Sequence, residues 1–196
     1  MFRLAPEQLL YNDLSRPLDV GRRYDLASCM EVAEHLPAAV APILIENLVK
    51  LAPVVLFGAA VPAQYGIHHV NCQWPEYWTA LFDRFGYRPL DIVRWKVWEN
   101  PEVEWWYRQN VMLYASPEFL DGHPELHSAP PPSYSPRLFR LSRRSVSDLP
   151  ETLPEEPAAG GLLVFGACRP SGAGLREGLI KSPRLSSGAK AFPVLL

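Results

Sequence analysis

The pattern of apolar and polar positions predicts alternating strands and helices over the first 60 residues. Residues 25–30, an aspartate followed by mostly small apolar side chains, predict a buried strand. Over residues 38–51 the apolar positions recur at three- and four-residue spacing, which predicts one apolar face of a helix. Residues 54–60 form an unbroken apolar run, which is typical of a strand buried on both faces of a parallel sheet.

Further elements are predicted on either side of this region. The segment from Pro75 to Gly86 has the apolar spacing of a helix, with the glycine as its C-cap. Residues 90–95 and 110–115 predict two more strands, and residues 8–11 are compatible with a short one. Because the last two strands are too closely joined for a helical crossover, we expect them to pair antiparallel. The order predicts an α/β fold with a mainly parallel sheet and an antiparallel last strand.

The composition of the chain changes after residue 116. Twelve of the 21 prolines lie at or beyond Pro117, and the periodic patterns dissolve there. We therefore expect a folded unit over residues 1–116, followed over residues 117–196 by a linker and a Pro-rich, largely disordered tail. Within this tail, residues 162–166 are apolar enough to form an isolated strand.

Charge and cysteine usage narrow the classes of partner and compartment. The formal net charge of −2 gives no reason to expect nucleic acid or an anionic membrane as a partner. No apolar run approaches the roughly 20 residues that span a bilayer, and the N-terminus lacks the pattern of a signal peptide. The three cysteines (Cys29, Cys72 and Cys168) are scattered, which favours a reducing cytoplasm over a disulfide scaffold.

Short motifs in a consistent order carry a resemblance to a known family. The segment from Asp25 to Leu36 reads D-L-x-x-x-x-E-V-x-E-H-L. It resembles the fourth strand and following loop of class I S-adenosylmethionine-dependent methyltransferases, especially the type 11 and type 23 groups. The loop H-V-N-x-Q-W that begins at His69 and the aromatic segment that ends at Asn110 are similar to a subgroup of this family. The resemblance covers residues 10–116 and implies a partial Rossmann-like methyltransferase sheet.

The resemblance implies a function and a set of site residues. It implies transfer of a methyl group from S-adenosyl-L-methionine to a small-molecule acceptor. The residues that it places on the cofactor side are Asp13, Leu14, Cys29, Met30 and Glu31. Those on the acceptor side are His35, Asn71 and Trp74, with His69 as the general base. A histidine suits that role because imidazole titrates near neutral pH.

Several of these residues also have a purely structural explanation. Asp13 is equally well explained as a turn aspartate, and His69 as a residue that hydrogen-bonds its own loop. Glu34 either helps to shape the site or is a solvated residue at a helix start, where the helix dipole favours it. Cys29 is more simply a small buried residue than a nucleophile. No spacing of histidine, cysteine or acidic residues predicts a metal site.

The resemblance leaves out part of the family's domain. The family's glycine-rich cofactor turn and its ribose-binding acidic residue have no counterpart ahead of Asp13. Two hypotheses follow: an active methyltransferase completed by a longer chain or another chain, or an inactive truncated remnant that acts as a binding or scaffold module. In either case the strand over residues 25–30 presents an unpaired edge. We expect residues 9–11, residues 162–166 or a second chain to cover that edge.

Overall fold

The computed structural model describes residues 9–129 and 192–195. The strands are β1 (Leu9–Asn12), β2 (Ala27–Met30), β3 (Val54–Gly58), β4 (Arg88–Leu90), β5 (Met112–Ala115) and β6 (Phe192–Leu195). The α-helices are α1 (Ala41–Leu51), α2 (Pro75–Asp83), α3 (Val93–Val97), α4 (Trp105–Asn110) and α5 (Pro117–Asp121). Turns of 3₁₀-helix cover Ala33–His35, Ala38–Val40 and Pro124–Ser128. The predicted strand over residues 162–166 lies outside the described residues.

Four strands form the central sheet in the order β2-β3-β5-β4. β2 and β3 are parallel, with Ala27 opposite Val55, and α1 lies in the connection between them. β5 is antiparallel to both of its neighbours, β3 and β4. The α/β class and the antiparallel last strand are therefore confirmed. The prediction of mainly parallel pairing is wrong, because β5 inserts between β3 and β4 and leaves β2–β3 as the parallel pair.

The segment over residues 90–95 is not the predicted strand. β4 ends at Leu90, and the chain then enters α3. Asp91 and Arg94 are both buried and form an ion pair at a spacing of three residues, which brings side chains together on a helical turn. A short alternating pattern does not distinguish such a turn from a strand. The aromatic residues that precede β5 form α4, which was not predicted.

The main core lies between the sheet and the helices α1 and α2. The rings of Phe82 from α2 and Tyr114 from β5 stack with centroids 3.8 Å apart, and the ring of Phe57 from β3 meets Phe82 edge-on at 5.5 Å. Leu44 and Leu48 supply the inner face of α1 to the same cluster. The predicted helix over 38–51 is thus confirmed as an amphipathic helix that begins with a 3₁₀ turn.

A smaller cluster covers the other face of the sheet and extends the folded unit. Ala115 alternates with Tyr114 along β5 and contacts Leu90 and Leu120, where α5 packs. Leu126 and Ala129 pack against this cluster. The predicted boundary at residue 116 is therefore too early, because residues 117–129 contribute helical turns and apolar side chains to the fold.

The edge of β2 opposite β3 has no strand beside it among the described residues. β1, which was expected as a possible cover, pairs antiparallel with β6 in a separate two-stranded sheet. That pairing also gives Phe192–Leu195 a defined strand where a disordered tail was predicted. None of the described helices is long and apolar enough to cross a membrane.

Candidate functional site

The candidate site lies where the parallel strands β2 and β3 end. Glu31 follows β2 directly, and its N–H donates to the carbonyl oxygen of Gly58 at 2.8 Å, so that it extends the ladder by one residue. Its backbone has a φ of 54°, in the left-handed region. A side chain other than glycine in this region costs on the order of 1–3 kcal/mol, and such residues cluster at functional sites. The loop after β3 and the end of α4 complete the site around Glu31.

Two amide side chains hold the carboxylate of Glu31. Asn110 Nδ2 donates to Glu31 Oε1 at 3.1 Å, and Gln64 Nε2 donates to Glu31 Oε2 at 3.0 Å. Asn110 Nδ2 also lies 2.9 Å from Gln64 Oε1, so the two amides support each other. Burial raises the pKa of Glu31, while the two amide donors oppose that rise. The result is a partly buried carboxyl group held in one orientation.

Glu34 is the most deeply buried acidic group in this region. It lies in the 3₁₀ turn after β2 and has an exposed fraction of 0%. Neither of its carboxylate oxygens makes a hydrogen bond of normal geometry with a described residue. Burial, followed by repulsion from Glu31, raises the pKa of Glu34 to about 8. Glu34 is therefore mostly protonated at neutral pH, which rejects its interpretation as a solvated residue.

Backbone hydrogen bonds fasten the loop after β3 to this turn. The N–H groups of Val70 and Asn71 both donate to the carbonyl oxygen of Glu34, at 2.8 Å and 3.0 Å. His68 has a φ of 60°, which turns the chain just before His69. The His69 ring then lies so close to Gly66 that a Cβ atom at this position would overlap it. A glycine is required there because any side chain would displace the imidazole.

His69 is placed between polar groups on three sides. Its Nε2 atom lies 3.9 Å from Glu34 Oε1, and its Nδ1 atom lies 3.6 Å from the Sγ atom of Cys72. The ring of His35 meets it edge-on with centroids 4.9 Å apart. Burial, together with the neighbouring His35, lowers the pKa of His69. The lowered pKa favours the neutral imidazole, in which one ring nitrogen keeps its lone pair.

The structure brings together only some of the residues expected from the sequence. Glu31, His35, His69 and Asn71 lie in this connected region, and the side chain of Met30 lies against Gly58 beside it. The Asn71 side chain accepts a hydrogen bond from Gln73 at 2.9 Å. Trp74 caps α2 and is 46% exposed. Its role in binding an acceptor stays a prediction.

Three residues expected on the cofactor side have structural roles. Asp13 Oδ1 accepts hydrogen bonds from the N–H and Oγ–H of Ser15, and its other oxygen lies 3.3 Å from Arg16. Asp13 is therefore a turn aspartate, and the Ser15 hydroxyl is the main cause that lowers its pKa. Leu14 and Cys29 belong to the main core. Contact of these residues with a cofactor stays a prediction.

Sequence reasoning missed the amide groups and the buried state of Glu34. Gln64 and Asn110 are both buried polar residues, 46 positions apart in the chain, and no sequence spacing joins them. The closeness of three residues that could act as metal ligands was likewise not predicted. One ligand atom from each of Glu34, His35 and His69 lies within 4.8 Å of the other two. The fold creates this triad by fastening one loop to another, which no local spacing reveals.

Comparison of the chain with protein-family models, with curated proteins and with solved structures finds no match.

Proposed function

We propose that this chain forms the acceptor side of an S-adenosylmethionine-dependent methyltransferase domain that acts on a small molecule. The observation that carries the proposal is the position of Glu31, Gln64, Asn110 and the neutral His69 beyond the ends of β2 and β3. Ligands of open α/β sheets bind outside the carboxyl ends of parallel strands. The antiparallel last strand is compatible with the partial Rossmann-like methyltransferase sheet that the resemblance implies.

The described residues fit one side of such a cofactor. Met30 and Glu31 lie at the end of β2, where the resemblance places cofactor contacts. The carboxylate of Asp13, in contrast, is already engaged by Ser15 and Arg16. No glycine-rich turn follows a strand ahead of β2 within the described part of the chain. Further cofactor contacts would come from a segment or chain that lies along the edge of β2.

The cofactor, when bound, would supply an electrophilic methyl group on a sulfonium centre. The task of this chain is to orient the acceptor and to take up its proton as the new bond to the methyl carbon forms. His69 accepts that proton because its lowered pKa leaves a ring nitrogen unprotonated. Cys72 contacts the Nδ1 side of the ring, and Glu34 lies on the Nε2 side. The contact with Cys72 orients the imidazole with its Nε2 atom toward Glu34.

The rim of the site favours an acceptor with an apolar body. The loop that carries His69 exposes Tyr65, Ile67 and Val70 by 64%, 58% and 62%, and Trp74 follows them. Exposed apolar side chains grouped in one segment mark a binding surface more often than single ones do. The buried polar groups beneath them suit an ionisable hydroxyl or amine. We therefore propose a small molecule that combines an apolar part with one such group.

A second candidate function is a binding or scaffold module without catalytic activity. The free edge of β2 favours it, because an edge strand presents unpaired N–H and C=O groups that a further strand can use. On this hypothesis the hydrogen-bonded side chains of Glu31, Gln64 and Asn110 stabilise the loop after β3 and take no part in catalysis. The compartment is proposed to be the reducing cytoplasm, since Cys29 and Cys72 are both free thiols. Neither nucleic acid nor a membrane is proposed as a partner.

Calorimetry of the 196-residue chain with S-adenosyl-L-methionine tests the proposal. We expect micromolar binding, weakened by Glu31→Gln and unchanged by Glu46→Gln, which makes the same chemical change on the exposed side of α1. If the chain alone does not bind, a segment with a strand and a glycine-rich turn is added in trans. If the chain does not bind S-adenosyl-L-methionine with that segment either, the methyltransferase proposal is rejected and the scaffold hypothesis remains.

A methyl-transfer assay with the binding-competent form then tests the role of His69. We expect His69→Gln to lower kcat by roughly 10²- to 10⁴-fold, the range for loss of a general base. KM for the acceptor should change much less, because the proton transfer occurs in the transition state. His68→Asn is the matched control, since asparagine tolerates the left-handed backbone at this exposed position. Equal activity of wild type and His69→Gln would reject this role.

A further inference from the structure

We propose that Glu34, His35 and His69 form a binding site for a divalent transition-metal ion of the Zn²⁺ type. One potential ligand atom from each residue lies within 4.8 Å of the other two. Two imidazoles and one carboxylate form a ligand set that first-row transition metals use, with positions left open for water or another ligand. The site does not depend on the methyl-transfer proposal, because metal binding needs neither a cofactor nor an acceptor.

The carboxylate of Glu34 gives the strongest support. Its exposed fraction is 0%, and neither oxygen makes a normal hydrogen bond with a described residue. A buried polar group without a partner costs free energy, and in native proteins such groups usually have a partner or an ion. His69 Nε2, at 3.9 Å from Oε1, is too far for a hydrogen bond but lies on the side where a bridging ion would sit. A metal ion between His69 Nε2 and Glu34 Oε1 would accept a lone pair from each atom.

Hydrogen bonds indicate which ring nitrogen of each histidine carries the lone pair. His35 Nδ1 lies 3.3 Å from the carbonyl oxygen of His68, which can only accept, so this nitrogen carries the hydrogen. The lone pair of neutral His35 is therefore on Nε2. In His69, Nδ1 faces Cys72 Sγ at 3.6 Å, and donation to the sulfur would leave the lone pair on Nε2. Metal-bound histidines commonly use their second nitrogen in this way.

Backbone hydrogen bonds bring the three residues together. Glu34 and His35 are adjacent in a 3₁₀ turn, and the loop with His69 is held to that turn by two hydrogen bonds to the carbonyl oxygen of Glu34. Gly66 leaves the space in which the His69 ring lies. Bonds of about 2.1 Å in a tetrahedral site place ligand atoms about 3.4 Å apart. Closing the triad from separations of up to 4.8 Å therefore requires side-chain movements of about 1 Å.

The ligand chemistry selects the ion. Imidazole nitrogen suits Zn²⁺, Co²⁺, Ni²⁺ and Cu²⁺, whereas Mg²⁺ and Ca²⁺ prefer oxygen ligands. Cys72 contacts the Nδ1 side of the His69 ring, away from Nε2, so we assign it as a residue that orients His69 and not as a metal ligand. A bound ion would occupy the His69 lone pair that methyl transfer would use as a base. Metal binding and proton transfer to His69 are therefore mutually exclusive on this assignment.

Titration of the metal-free full chain with Co²⁺ tests the site, because bound Co²⁺ absorbs in the visible range. We expect one equivalent to bind and Zn²⁺ to displace it, with no displacement by Mg²⁺. Glu34→Gln and His69→Gln should each weaken binding at least about tenfold. The matched control is His68→Asn, which removes the neighbouring imidazole, and it should bind as wild type does. Circular dichroism of each variant establishes that it is folded.

Gly66→Ala provides a second test that keeps all three ligands. The added methyl group occupies the space of the His69 ring and should weaken Co²⁺ binding at least about tenfold. Gly122→Ala, at a position where an added Cβ has no contact under 3.4 Å, serves as the glycine control. No binding by the wild type would overturn the proposal. Equal binding by the wild type, Glu34→Gln and His69→Gln would also overturn it, since the ion would then bind elsewhere.

Discussion

Replacement of Glu34 by glutamine is expected to flatten the pH dependence of stability. The folded-state pKa of Glu34 is raised from an ordinary 4.5 to about 8 by burial and by Glu31. Below pH 4.5 both the folded and the unfolded states are protonated. Between pH 4.5 and about 8 the unfolded state has lost the proton while the folded state retains it, so the free energy of unfolding falls as the pH rises. Above that window no further loss follows.

The size of this effect follows from the pKa shift. Each unit of difference between the two states corresponds to about 1.4 kcal/mol. Across the window from 4.5 to about 8, the loss amounts to about 4–5 kcal/mol as an upper limit, because Glu31 shares part of the change. Such a loss is a large part of the roughly 5–15 kcal/mol that stabilise a typical domain. Glutamine has nearly the same shape and carries no charge at any of these pH values.

Urea unfolding from about pH 5 to about pH 9, with a metal chelator present, measures the effect. We expect the unfolding midpoint of the wild type to fall with pH more steeply than that of Glu34→Gln. The slope is the readout, because a buried amide also changes the absolute stability. Glu46→Gln, at an exposed position on α1, is the matched control and should keep the wild-type slope. Parallel curves for the wild type and Glu34→Gln would refute the reasoning.

Three further substitutions test other contacts. Tyr87→Phe removes the hydroxyl whose single hydrogen is shared between two carbonyl oxygens at the end of α1, at 3.0 Å and 2.7 Å, and should cost about 1–3 kcal/mol in thermal or urea unfolding. Arg94→Met removes the ion-pair partner of the buried Asp91 and should cost about 3–5 kcal/mol, while adding Asp91→Leu should recover much of that loss. Asn110→Ala removes a hydrogen-bond donor from Glu31 and should raise the pKa of that carboxyl further, which an NMR titration measures. An unchanged pKa would show that the Asn110 hydrogen bond does not stabilise the Glu31 carboxylate.

The sequence was sufficient to predict the elements with long, regular apolar patterns. The helix ending at Leu51, the strand starting at Val54 and the helix starting at Pro75 all have the bounds that their patterns indicate to within a few residues. Short segments were not predictable in the same way. Residues 90–95 alternate like a strand, yet Asp91 and Arg94 pair across a helical turn. Five or six residues contain too few repeats to separate the two periods.

The candidate site was predictable in its location but not in its contacts. A polar cluster at the end of a buried strand points to the carboxyl edge of the sheet, and Glu31 lies there. The partners of Glu31 come from residues 33 and 79 positions away, which only the folded chain brings together. The buried state of Glu34 depends on the loop that is fastened over it. Burial of this kind arises from tertiary contacts and has no local signature.

Because no strand among the described residues covers the outer edge of β2, its amide hydrogens form two sets, those that face β3 and those that face outward. Glu31 N–H points toward β3, and alternation along the strand directs that of Cys29 the same way and those of Ser28 and Met30 outward. Amide hydrogen exchange should therefore be slow at 29 and 31 and faster at 28 and 30. A segment or chain that adds a strand would slow the second set alone. Exchange rates at these four residues thus report directly, residue by residue, whether the sheet has been completed.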